Sequence, residues 1–142
     1  MCMYTDMNFD DPINCLTYNA QRIARSMGRQ MEIALRPVGL TNQQFSTLTI
    51  LKHFKVISTL ELADKMGVER TTMTRNLEQM RLKGWLEPAK VDDQRVRAFR
   101  LTAAGEKLQS QALPLWKEQQ ANFMEYLGKD TASDLVALAG KV

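Results

Sequence analysis

Between Ser58 and Thr102 the chain changes character three times in an order that few folds accommodate. Ser58-Thr59-Leu60-Glu61 has a serine followed three residues later by a glutamate. That is the reciprocal capping pattern of a helix start, with the hydroxyl satisfying a free N–H and the carboxylate reaching back to the cap. Leu62, Ala63 and Met66 then recur at helical spacing, and Gly67 is placed to take the left-handed conformation that ends a helix. A second helix is expected to begin near Glu69 or Arg70 and to end at Gly84, with Met73, Leu77 and Met80 as its buried stripe. So sharp a turn suits a helix-turn-helix better than a hairpin of long antiparallel arms. A β-hairpin is predicted to follow. Its first strand is Trp85-Leu86-Glu87-Pro88, its tip runs from about Ala89 to Gln94, and its second strand runs from Arg95 to Leu101. Two short helices and a hairpin in this order make a winged helix-turn-helix.

The opposite face of the second helix carries Arg70, Thr71, Thr72, Thr74, Arg75 and Asn76. Hydroxyls and helix N-terminal N–H groups suit phosphate oxygens, arginine can bond bidentately to guanine, and asparagine to adenine. A helix that reads DNA needs these groups near its N-terminus. A polar helix face is more often simply solvated. Three features favour the reading face: the helix and turn before it have the right length, no acid stands between Arg70 and Leu77, and a basic hairpin follows at once.

In that hairpin Val96, Ala98 and Arg100 fall on one face of the second strand and Arg95, Arg97, Phe99 and Leu101 on the other. Twist near the tip would let Arg95 and Arg97 leave the sheet and reach a narrow minor groove, whose negative potential favours arginine. The alternative is a charged hairpin that keeps an edge strand soluble.

Charge distribution separates these readings better than total charge. The net charge of the 142 residues is only +3, but from Glu69 to Arg100 eight Lys/Arg stand against five acids. The excess therefore sits wholly in the proposed reading unit, as a DNA footprint should. Cys2, Cys15 and the single histidine, His53, make no metal-ligand spacing, and no Cys-x-x-Cys occurs. No nucleophile–base pair, metal-ligand set or phosphate loop is present, so neither an enzyme nor a cofactor is expected. No stretch approaches a membrane span and the N-terminus lacks a signal-peptide core, so a soluble, cytosolic protein is expected, with no membrane partner.

The first ten residues lack a pattern and read as a mobile arm. A long helix is expected from about Asp11, with Pro12 in its first turn and Ile13, Leu16, Ile23, Met27, Met31 and Leu35 as its apolar positions, ending at Arg36-Pro37-Val38-Gly39. Thr41 and Gln44 cap a second helix whose Phe45, Leu48, Leu51 and Ile50 face the core. Thr102 caps another long helix, marked by Leu108, Ala112, Leu115, Trp116, Phe123 and Leu127 and kinked by Pro114. Thr131 and Asp134 open a last short helix. The expected division is an arm and dimerisation helix over 1–36, a winged DNA-binding domain over 37–103 and C-terminal dimerisation helices over 104–142. The fold class is mostly α with a small β-hairpin wing. Long amphipathic helices flanking a small domain suit association with a second copy, which would set two reading helices about 34 Å apart; the alternative is that they pack on their own domain.

The chain resembles the MarR family of bacterial transcription regulators along nearly its whole length. The matching pieces are Leu35-Arg36-Pro37-Val38-Gly39-Leu40-Thr41, Leu60-Glu61-Leu62-Ala63, Val68-Glu69-Arg70-Thr71-Thr72-Met73-Thr74-Arg75, Leu82-Lys83-Gly84-Trp85-Leu86 and Asp93-Gln94-Arg95-Val96-Arg97-Ala98-Phe99-Arg100-Leu101-Thr102. The resemblance implies a homodimer with interlocked terminal helices that represses by covering a palindromic promoter site on double-stranded DNA. It also implies release when a small aromatic or phenolic effector binds between the dimer helices and the winged domain. Arg95 stands where the family makes its minor-groove contact, with Arg97 next to it. The family often opens its wing with Asp-x-Arg-Asp; here the run is Lys90-Val91-Asp92-Asp93, and only Asp93 matches.

One branch of the family senses organic hydroperoxides through a first-helix cysteine, whose oxidation to a sulfenic acid releases DNA. Cys15 lies early in the first helix, near Tyr18, but Asn42 stands where that branch carries a tyrosine. A redox switch at Cys15 and a buried structural cysteine are the two readings. A winged domain used for protein contact alone is a third possibility for the whole chain.

Overall fold

The computed structural model describes residues 7–142, so Cys2 and most of the expected N-terminal arm lie outside the described residues. The long first helix does not begin at Asp11. The Asp11 carboxylate accepts from Ile13 N at 3.0 Å and caps a single 3-10 turn, Pro12–Asn14. A non-helical backbone at Cys15, ψ 120°, then breaks the run, and α1 is Leu16–Leu35. Proline at the first position favours that short turn, whose own cap competes with continuation of one helix. A second 3-10 turn, Arg36–Val38, follows α1, and Gly39 closes it.

The predicted capping boxes form. Thr41 accepts from Gln44 N at 3.1 Å and Gln44 returns to Thr41 N at 3.0 Å, opening α2, Asn42–Phe54. Ser58 and Glu61 do the same for α3, Thr59–Met66. Hydrogen bonds from Ser58 hold the Glu61 carboxyl below its usual range. Gly67 takes φ 62° and ends α3. The second helix of the motif is α4, Arg70–Leu82, with Met73, Leu77 and Met80 completely buried, as their spacing predicts. His53 lies exposed in the last turn of α2, edge-on to Phe54.

The sheet has one strand more than the sequence pattern suggests. Ile57–Ser58 forms β1, Leu86–Ala89 β2 and Ala98–Leu101 β3, antiparallel in the order β1-β3-β2. Central position explains why Ala98 and Phe99 are both buried, although neighbours on a strand point to opposite faces. The second hairpin strand starts three residues later than predicted, because Ala89 pairs with Ala98 and nothing beyond them pairs. Arg95, Val96 and Arg97 thus lie outside the strand, Arg95 and Val96 in the tip turn and Arg97 at the base of the wing, where its carbonyl accepts from Thr59 N. Glu87 and Arg100 face each other across the hairpin, 2.7 Å apart.

Thr102 accepts from Gly105 N at 3.1 Å and caps α5, Ala103–Leu127, which continues through Pro114 as one element. The last helix, α6, spans Lys129–Ala139. It starts two residues before the predicted Thr131 cap, since Gly128 at φ 78° is itself the break. One apolar core runs from Leu40, Phe45 and Leu48 through Leu62, Met73 and Leu77 to Leu86 and Phe99, and onward to Met31 and Leu35 of α1 and Ala112 and Phe123 of α5. It therefore crosses from the winged unit into both long helices. The N-terminal half of α1 stays outside it. Leu16 is 72% exposed and Ile23 49%, while Leu135, Val136 and Leu138 of α6 are exposed too.

Candidate nucleic-acid interface

Helix α4 reaches the surface by its N-terminal half. Its first residue follows Glu69, whose side chain makes no capping bond, so no side-chain cap occupies the first-turn N–H groups. Arg70, Thr71, Thr74 and Arg75 are exposed and line one shallow depression together with Glu78 and Gln79. The Thr74 hydroxyl donates to the Arg70 carbonyl at 2.9 Å. Its proton is engaged, and the oxygen remains an acceptor for an incoming donor such as a base amino group.

Two of the six helical residues singled out from sequence are placed differently. Thr72 is half-buried. Asn76 is also half-buried, and its amide donates to Gln43 Oε1 of α2 at 3.0 Å. One of its two amide N–H groups is thus engaged inside the protein by a residue thirty-three positions away in sequence. The depression also holds an acid that follows directly after the acid-free stretch. Glu78 lies one turn beyond Thr74, and Arg81 bonds it at 2.9 and 2.6 Å. That pair holds the Glu78 carboxyl below its usual range and raises the Arg81 guanidinium.

The two wing arginines occupy different places. Arg95 is at the tip with its side chain 91% exposed. Asp93 accepts from Arg95 N at 3.0 Å, from its Nε at 3.1 Å and from a terminal nitrogen at 3.2 Å. Val96 N closes the turn on the Asp93 carbonyl at 3.0 Å. The single acid matching the family wing pattern thus braces the tip by itself, and hydrogen bonds from Arg95 hold its carboxyl below the usual range. Arg97 sits at the wing base, where it lines a cleft of about 260 Å³ with Thr59, Thr74, Glu78 and Phe99. Its carbonyl accepts from Thr59 N at 2.9 Å and from the Thr59 hydroxyl at 3.3 Å, tying the wing to the start of α3. The Gln43–Asn76 and Thr59–Arg97 contacts join residues over thirty positions apart, and no local spacing signals them.

Cys15 is exposed rather than buried, between the first 3-10 turn and α1. Among the described residues no group of His, Cys, Asp and Glu is gathered that could hold a metal ion, and no helix is long and apolar enough to cross a membrane.

A family model described as MarR family matches residues 40–96. The transcriptional regulator MosR of M. tuberculosis, solved in complex with DNA, is 40% identical, with 89% of this chain and 95% of that one aligned and a TM-score of 0.79. A mutant MarR from E. coli complexed with operator DNA shares the fold at TM-score 0.80 over 95% of this chain and 98% of that one, at 23% identity. The HTH-type regulator YwoH of Bacillus subtilis is 28% identical over 67% of this chain, and the match spans 66% of that protein's length. The helix-turn-helix, the braced wing and the MosR likeness agree: the chain belongs to the MarR family of DNA-binding transcription regulators, which are not enzymes.

Proposed function

We propose that this regulator is a homodimeric repressor that acts in the cytoplasm, covers a palindromic promoter site and is released by a small ligand. The observation that carries the dimer is the pair of unpartnered apolar stretches at the chain ends, Leu16 and Ile23 on α1 and Leu135, Val136 and Leu138 on α6. Large apolar side chains left open along two terminal helices mark an interaction surface, and a two-fold dimer is the commonest way to cover it. In this reading the arm and dimerisation segments over 1–36 and 104–142 flank a DNA-binding unit over 37–103.

Arg70, Thr71, Thr72, Thr74 and Arg75 enter the major groove, and Arg95 and Arg97 approach the minor groove beside it. Asn76 supports that face from behind through Gln43. The effector is a small aromatic or phenolic molecule. In support, a groove of about 1070 Å³ between α1 and α5 brings Arg22, Arg25 and Arg29 close to Phe123 and Tyr126, chemistry that suits an aromatic acid. The test is binding to the duplex upstream of this gene against a scrambled duplex at several salt concentrations. Specific binding with a steep salt slope is expected, and Arg75→Ala should weaken it about 5- to 150-fold, the worth of one bidentate base contact. Equal, weak binding to both duplexes overturns this promoter as the target, and full affinity in Arg75→Ala removes the role given to that residue.

Exposure of Cys15 favours a second mode of release. A peroxide would oxidise an accessible thiolate to a sulfenic acid, with the peroxide reduced to water or an alcohol, at the end of α1 where a partner helix would pack. Peroxide should then lower DNA affinity in the parent and not in Cys15→Ser; equal sensitivity in both rules it out. The reading as a protein-contact module alone is set aside by family membership.

A further inference from the structure

Helix α2 carries no proposed DNA contact of its own, yet it is bolted at both ends. Near its C-terminus the Lys52 ammonium donates to Gln109 Oε1 at 3.0 Å and to the Ser110 hydroxyl at 3.1 Å, both on α5. Gln109 is buried, and its amide donates in turn to the Thr49 hydroxyl of α2 at 3.4 Å. At its N-terminal end Phe45 stacks on Trp116 of α5 with ring centroids 6.1 Å apart, and Gln43 accepts from Asn76 of α4. The two α5 attachments lie seven residues apart on each helix and in opposite order, so α2 and α5 run antiparallel and are joined at two points about 10 Å apart.

The chemistry of the Lys52 end is unusual for a stabilising contact. Among the described residues the ammonium meets no carboxylate; a neutral amide and a hydroxyl hold it. Burying Gln109 costs free energy that an apolar side chain would not incur, and it is tolerated only because each polar atom finds a partner. Such a contact contributes direction more than adhesion. The apolar Phe45–Trp116 contact alone would let α2 roll on α5, whereas hydrogen bonds to two successive residues fix its angle.

We propose that Lys52 is a positioning residue: its bonds to Gln109 and Ser110 lock α2 on α5 and, through Gln43 and Asn76, set where the reading helix α4 stands relative to the long helices. In a dimer that angle determines the separation of the two α4 helices, so this part rests on the proposed function. The lock itself does not.

Two measurements separate the parts. Spin labels at Leu82→Cys on α4 and Glu118→Cys on α5, in a Cys2→Ser, Cys15→Ser background and diluted with unlabelled chain, report the distance within one chain. A narrow distribution is expected. It should broaden in Lys52→Met, stay narrow in Lys52→Arg, which keeps the charge and several N–H donors, and broaden slightly in Ser110→Ala, an exposed site where folding is not at risk. An unchanged width in both Lys52→Met and Ser110→Ala overturns the lock. The second measurement uses a duplex selected from a random pool by the parent protein, and the same duplex with one base pair added or removed at its centre. Lys52→Met should bind the selected duplex roughly 2- to 30-fold more weakly, with a flatter preference for spacing and an unchanged salt slope. A salt slope lower by about one identifies Lys52 as a phosphate contact and refutes the positioning role. A parent that selects no duplex defeats the proposed function and leaves the distance measurement to decide the lock.

Discussion

The winged unit and the outer helices follow the same sequence rule with opposite results. In α4 the apolar positions Met73, Leu77 and Met80 are all buried within the chain. In α1 the same helical spacing divides: Met31 and Leu35 are buried, whereas Leu16 and Ile23 face outward. Periodicity states which residues want cover; it does not state whose surface supplies it. The winged unit finds its cover in cis, and the proposed dimer is the account of where the outer helices find theirs.

The sharpest way to break the first half of that comparison lies where the wing meets α5. A Cβ at Gly105 would stand 1.9 Å from the Trp85 carbonyl oxygen, a backbone atom that cannot rotate aside and that already accepts from Thr102 N at 3.1 Å. Gly105→Ala should cost about 4 kcal/mol or more, or prevent folding, as read by urea unfolding. Next come paired truncations. Leu77→Ala should cost roughly 2–5 kcal/mol at any protein concentration, because it leaves a cavity in the core. Leu16→Ala should instead show its effect only as weaker association, growing as the protein is diluted. Equal, concentration-independent losses would erase the distinction between the two regions.

Smaller effects test local construction of the winged unit. Ser58→Ala removes half of the α3 capping box and should lower unfolding stability by about 1 kcal/mol. Smallest is the Asp93 brace. Its carboxyl titrates below the ordinary 3.8 because Arg95 bonds the charged form. A carboxyl lowered in the folded state contributes fully above its unfolded value and loses that contribution as pH falls through the folded one. The Asp93 contribution to the tip should therefore be complete at neutral pH and be lost only as pH falls below 3.8. In carboxyl-detected NMR, Arg95→Ala should return the Asp93 titration toward 3.8; an unmoved titration would mean that Arg95 is not its partner.

What the sequence made legible was local. The Thr41–Gln44 and Ser58–Glu61 boxes, the Gly67 turn and the α4 stripe each depend on groups within a few residues, where helix geometry leaves little choice. The departures came where distant partners decide. Residues Arg95–Arg97 alternate like a strand but find no partner on β2, so they lie outside the hairpin ladder, and Arg97 bonds Thr59 at the start of α3 instead. Two-residue β1 exists only because β3 lies beside it. Asn76 has the chemistry of a base-reading residue, and a hydrogen bond to Gln43 of another helix, which no local spacing signals, also engages its amide. Lys52, Gln109 and Gly105 carry no local signal, since their partners lie more than fifty or, for Gly105, twenty positions away. Cys15 is exposed because Asp11 and Pro12 close a separate turn before α1 begins.

The most direct test of the account is the solution mass of the full chain by sedimentation equilibrium at micromolar concentration, with and without 1 M salt added. One chain weighs 16.2 kDa. The account predicts twice that mass in both conditions, because apolar helices and not exposed charges would hold the pair. A single-chain mass in both would contradict it, leaving α1 and α6 uncovered and the two-site reading of DNA without a second reading helix.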